Sequence, residues 1–147
     1  MASTALPASP LATDRNDSPV SLVRLYVLRA TYLLLVLGAG GMILPVLISH
    51  EPTARGVIPA FIGAVALLAI VGLKYPLRML PLLMFEFGWK SLWLLVFGLP
   101  QYLSGQLPPT FAEDFLNITF GVILMPLVIP WGYVWRQYVK APADRWR

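Results

Sequence analysis

Residues 79–99 read MLPLLMFEFGWKSLWLLVFGL, an apolar run interrupted by one acid, Glu86, and one base, Lys90. A helix of about 20 residues, rising about 1.5 Å per residue, crosses a hydrocarbon core about 30 Å thick. Both charges would lie near the midplane, where neither can face lipid cheaply. They stand four residues apart, about 40° around a helix, with the acid first, the order that favours pairing. The spacing therefore predicts an intramembrane ion pair turned inward, with Met79, Leu82, Trp93 and Phe97 on the same face.

The rest of the chain shares this character. Of its 147 residues 58% are hydrophobic and 12% charged, well outside the averages of soluble domains. Four runs have the length for one crossing each, at about 30–48, 57–73, 79–99 and 115–135. The expectation is an all-α integral membrane protein, a four-transmembrane-helix bundle occupying residues 21–140. Residues 1–20, rich in Ala, Ser, Thr and Pro, read as a disordered tail. That stretch lacks both the basic cluster and the continuous apolar core of a signal peptide. Residues 141–147 read as a basic tail.

Small residues predict how the helices meet. In the first run Gly38 and Gly41 fall on one side with Leu34 and Pro45, and in the second Gly56, Ala60 and Gly63 do the same. Such stripes let backbones approach closely in membranes. The link at 74–78 is short enough to force the second and third helices into an antiparallel hairpin. Arg29 beside Tyr32 reads as a snorkelling pair at a membrane interface. Residues 100–114, with three prolines, read as a loop with Phe111 at the interface. In the fourth run Pro126 and Pro130 predict a kink, which frees the carbonyls of Val122 and Pro126.

Charge sets the expected orientation. With the N-terminus inside, one side collects Arg15, Arg24, Arg29, Lys74, Arg78, Arg136, Lys140, Arg145 and Arg147, and the other only Arg55. Basic residues gather on the cytoplasmic side of membrane proteins, so both termini are expected in the cytoplasm. The expected location is a bacterial inner (plasma) membrane. Because the basic residues flank apolar runs, the net charge of +4 points to topology and not to nucleic acid.

The chemistry is thinner than the architecture. There is no cysteine, and the one histidine, His50, sits in a loop and cannot by itself complete a zinc site or supply both axial ligands of a haem. Asn117-Ile118-Thr119 matches the glycosylation triplet but opens a membrane helix, and is set aside. No phosphate loop, dinucleotide motif or nucleophile elbow is present. The expectation is therefore no enzyme, no cofactor and no metal site. Glu86 and Lys90 are the candidate functional residues, with Trp89, Trp93 and Phe97 as candidate pocket lining beside them. Two readings stand: an accessory or structural subunit that associates with itself or another membrane protein, or a proton- or cation-coupled small transporter or channel protomer using Glu86 and Lys90.

Overall fold

The computed structural model describes residues 20–49, 56–105 and 107–142. Among them every regular element is helical. Four helices are long and apolar enough to cross a membrane: α1 Leu22–Ser49, α2 Val57–Lys74, α3 Leu80–Ser104 and α4 Phe111–Val128. A short helix, α5 Trp131–Val134, continues into a π turn over Trp135–Val139. His50, Glu51, Arg55, the tail at 1–19 and the basic tail with Arg145 and Arg147 lie outside the described residues.

The helices alternate in direction. The start of α1 lies beside the ends of α2 and α4: Arg29 Nε donates to the Leu73 carbonyl at 3.2 Å, Tyr32 Oη to the Pro76 carbonyl at 3.1 Å, and Arg24 to the Ile129 carbonyl at 2.9 Å. Arg29 thus does more than snorkel, since it satisfies a carbonyl that the end of α2 leaves open. α1 packs chiefly on α2, and α3 on α4. The core runs along the axis through Leu28, Tyr32, Val65, Ala69, Leu80, Leu83 and Met125. Most other apolar side chains point outward, including Leu37, Leu67, Leu92, Leu95 and Leu127. Lipid tails are as apolar as leucine, so an exposed leucine costs nothing there.

Element ends depart from the hydropathy reading. α1 starts at Leu22, eight residues before the expected 30, where Ser21 accepts the Arg24 amide as its cap. The expected loop at 100–114 is largely helical. α3 continues to Ser104 and stops at Gly105, whose φ of 71° lies in the left-handed region that glycine tolerates. α4 then starts at Phe111, which is buried against Phe115 and Trp93. At the other end α4 stops at Val128 and not at 135. A proline disfavours helical geometry in the residue before it; Ile129, ahead of Pro130, is extended, with ψ at 124°. Pro126 leaves the helix continuous. Its freed carbonyl is taken by Trp131 Nε1 at 2.9 Å, and that of Ile129 by Arg24.

Of the glycines in the expected stripes, Gly63 is closely approached by α1, whereas Gly38 and Gly41 are not. An added Cβ would meet nothing within 4 Å at Gly38 or Gly41, whereas at Gly40 it would lie 3.2 Å from Ala66 Cβ and at Gly63 2.9 Å from Leu47 Cδ1. Gly56 holds the start of α2, its carbonyl accepting the Ala60 amide, and Ala60 itself is exposed. The inward face of α1 is marked by Leu28, Tyr32 and Leu35, roughly 100–160° around the helix from Leu34. A π turn over Val36–Gly40 then shifts the phase of every later residue in the helix. Small residues alone carry no marker of that phase.

Candidate functional site

The register of α3 puts Glu86, Trp89 and Lys90 one turn apart on one side. Lys90 Nζ forms an ion pair with Glu86 Oε2, and Trp89 Nε1 donates to Glu86 Oε1 at 3.0 Å. Glu86 is only 3% exposed, and both of its oxygens are occupied by residues of its own helix. The Lys90 ammonium also stands 4.2 Å from the centre of the Trp89 ring, a cation–π contact that desolvation strengthens.

The fourth member of the group comes from α4. A Cβ added at Gly121 would fall 2.6 Å from Lys90 Cδ and 2.8 Å from Cε. The aliphatic stem of Lys90 therefore lies flat across the α4 backbone at its one bare position there. Ion pair, indole and glycine form a clasp: α3 supplies and neutralises the charge, and α4 supplies the groove that holds the lysine in place.

A cleft of about 350 Å³ adjoins the clasp. Glu86, Trp89 and Lys90 form one wall, Leu35 and Met42 of α1 and Phe61 and Val65 of α2 face them, and Asn117 and Ile118 of α4 close the group. The walls are apolar apart from one carboxylate, one ammonium, one indole N–H and one amide. Among the described residues no three His, Cys, Asp or Glu side chains gather into a metal-binding group.

Of the aromatic residues expected to line a pocket here, Trp89 does so. Trp93 and Phe97 are placed elsewhere. α3 makes a π turn over Leu94–Gly98, so residues five apart, not four, come to stack. The Trp93 ring consequently covers Gly98, where an added Cβ would meet its Cζ3 at 2.6 Å, and its other neighbour is Phe111 of α4 at 6.4 Å between ring centres. Phe97 is carried round to the outside and is 60% exposed.

Two participants escape sequence reasoning. Gly121 has no visible role until its partner is known, though a lone glycine in a membrane helix is a usable signal for close approach. Asn117 shows along the chain only as part of a chance triplet. Outside the spans, burial first and the neighbouring Tyr133 second hold the Tyr138 phenol above its ordinary range. Compared with known proteins, the chain matches no family model, no curated protein and no solved structure.

Proposed function

We propose that this small multi-pass membrane protein is an accessory or structural subunit, associating with itself or with another membrane protein. The observation that carries the reading is the engagement of both Glu86 oxygens, one by Trp89 and one by Lys90, with the Lys90 stem wedged against Gly121. A carboxylate arranged this way neutralises and locks a helix pair. A proton- or cation-binding carboxylate would also need an aqueous path to it. Transport through Glu86 is the second reading, and the cleft that touches Glu86, Lys90 and Asn117 is what favours it.

Three variants separate the two. Glu86→Leu alone leaves Lys90 uncompensated, at a cost of about 2.5–3.5 kcal/mol on insertion scales. The double variant Glu86→Leu, Lys90→Leu should lose much less, since well-packed apolar residues often replace a buried pair without penalty. Glu86→Gln should keep the shape and the Trp89 bond. Melting in detergent gives the stabilities, and proton flux into proteoliposomes read with a pH-sensitive dye gives the activity. A parent flux abolished by Glu86→Gln would establish transport and displace the structural reading. Native mass measurement checks the association, and monomer alone in several mild detergents would remove it.

In the same proposal both termini lie in the cytoplasm of a bacterial cell and the protein in its inner membrane. Supporting this, the alternating helices bring Arg24, Arg29, Lys74, Arg78, Arg136 and Lys140 to one end of the bundle, whereas Glu113 and Asp114 stand at the start of α4, at the other. Reporters fused to either terminus should read as cytoplasmic, and one inserted after Gly105 as external. An external C-terminus would overturn the four-span arrangement.

A further inference from the structure

The basic end of the α1–α2 pair carries more than a topological signal. Arg29, Lys74 and Arg78 line a cleft of about 230 Å³ together with Leu25 and Tyr75. Arg29 is fixed there by its bond to the Leu73 carbonyl, and Lys74 and Arg78 both stand over the Tyr75 ring, at 5.4 and 5.5 Å from its centre. No carboxylate lines this cleft. Among the described residues the acids are Glu86, which is paired with Lys90, and Glu113 and Asp114 at the opposite end. Three cations are thus held together with no acid among the described residues to meet them there.

A second feature runs along the same two helices. An apolar groove of about 380 Å³ lies between α1 and α2, floored by Gly40, Gly63 and Ala66 and edged by Leu37, Leu44 and Leu67. Its last residue on α2, Ile70, is four positions before Lys74, and its first on α1, Val36, is seven after Arg29. At about 1.5 Å per residue the groove begins roughly 6–10 Å from the cations. The headgroup layer of one leaflet is roughly 5–8 Å thick, the difference between the full bilayer and its hydrocarbon core. The two features are therefore spaced as the phosphate and the acyl chain of one lipid.

We propose that this seam is a binding site for an anionic phospholipid, with its phosphate against Arg29, Lys74 and Arg78 and one acyl chain in the groove over Gly40 and Gly63. The proposal rests on the membrane reading and not on the role of the Glu86 clasp. Guanidinium and ammonium donors match phosphate oxygens, and each basic residue near an anionic surface adds to the attraction. A free phosphate would satisfy the cations but not the groove. A zwitterionic lipid would fill the groove but bring its own cation to the cleft.

The test uses the full chain in mild detergent, titrated with dioleoyl phosphatidylglycerol, dioleoyl phosphatidylcholine or inorganic phosphate, and read by native mass spectrometry and melting temperature. Phosphatidylglycerol should bind and raise the melting temperature, and the other two should do neither at the same concentration. Lys74→Gln with Arg78→Gln, which spares the Arg29–Leu73 bond, should weaken phosphatidylglycerol binding about 30-fold. Gly41→Leu should block it as well, because Gly41 lines the groove and an added Cβ there meets nothing within 4 Å, leaving the fold room for the change. Equal binding of the two lipids would overturn the proposal. So would stabilisation by phosphate alone, or undiminished binding in both variants while each still melts like the parent.

Discussion

Gly72→Ala is expected to lower the stability of the bundle by about 3 kcal/mol, the upper end of what overpacking usually costs. An added Cβ at this position would lie 2.6 Å from both Cγ and Cε1 of Tyr32. Such an overlap is mild when a flexible side chain can step aside, but Tyr32 cannot. Its ring is wholly buried, and its hydroxyl is tied to the Pro76 carbonyl in the link after α2. Moving the ring would break that bond and open a gap between α1 and α2; leaving it would force the helices apart. The measurement is the unfolding midpoint in a fixed detergent, by heat or by added dodecyl sulfate. Gly38→Ala and Gly41→Ala are the controls, because an added Cβ at either meets nothing within 4 Å, and alanine should be neutral or favourable in a helix interior by up to about 1 kcal/mol. Tyr32→Val should relieve the clash, so that Gly72→Ala costs less in that background than in the parent. Equal midpoints for Gly72→Ala and the parent would show that α1 and α2 do not meet through this ring.

The second large effect is expected at Gly121, by a different route. Here the overlap is with the stem of Lys90, which is flexible enough to move, so the steric cost by itself is small. The larger expected cost is in the ion pair, because the Lys90 stem that must move carries the ammonium paired with Glu86. Gly121→Ala should therefore forfeit a large share of the roughly 2.5–3.5 kcal/mol that separates a neutralised charge from a bare one at this depth. A double-mutant cycle isolates the mechanism. In a Glu86→Gln, Lys90→Ala background there is neither a stem to displace nor a charge to strand, and Gly121→Ala should become close to neutral. A full penalty in that background would mean that α4 meets something other than Lys90 at this point.

These two glycines mark where local pattern stops being informative. The membrane class, the number of apolar helices and the pairing of Glu86 with Lys90 each depend on residues within one helix or one turn: mean hydropathy over about 20 positions, or the geometry of positions i and i+4. Such properties are legible along the chain, and the described residues show four helices long and apolar enough to cross a membrane and the Glu86–Lys90 pair. The short link at 74–78 is equally legible, since so few residues leave no alternative to a hairpin.

Helix phase is another matter. Two π turns inside the spans, over Val36–Gly40 and Leu94–Gly98, rotate the residues after them, and they send Phe97 outward and bring Gly40 and Gly98 inward. A π turn is stabilised by its neighbours: Trp93 lies over Gly98 and meets Phe111 of the next helix. No count at 100° per residue can show it. The ends of the helices carry local marks that hydropathy passes over, the Ser21 cap of α1 and Pro130 holding Ile129 extended, while Arg24 reaches in from α1 to take the Ile129 carbonyl. Hydropathy therefore determined which segments are helices of membrane length, because that is a one-dimensional property of the chain. Which face of each helix points inward, and so which residues surround Glu86, was decided only by tertiary packing, because lipid rewards no particular face and only contact with another helix does.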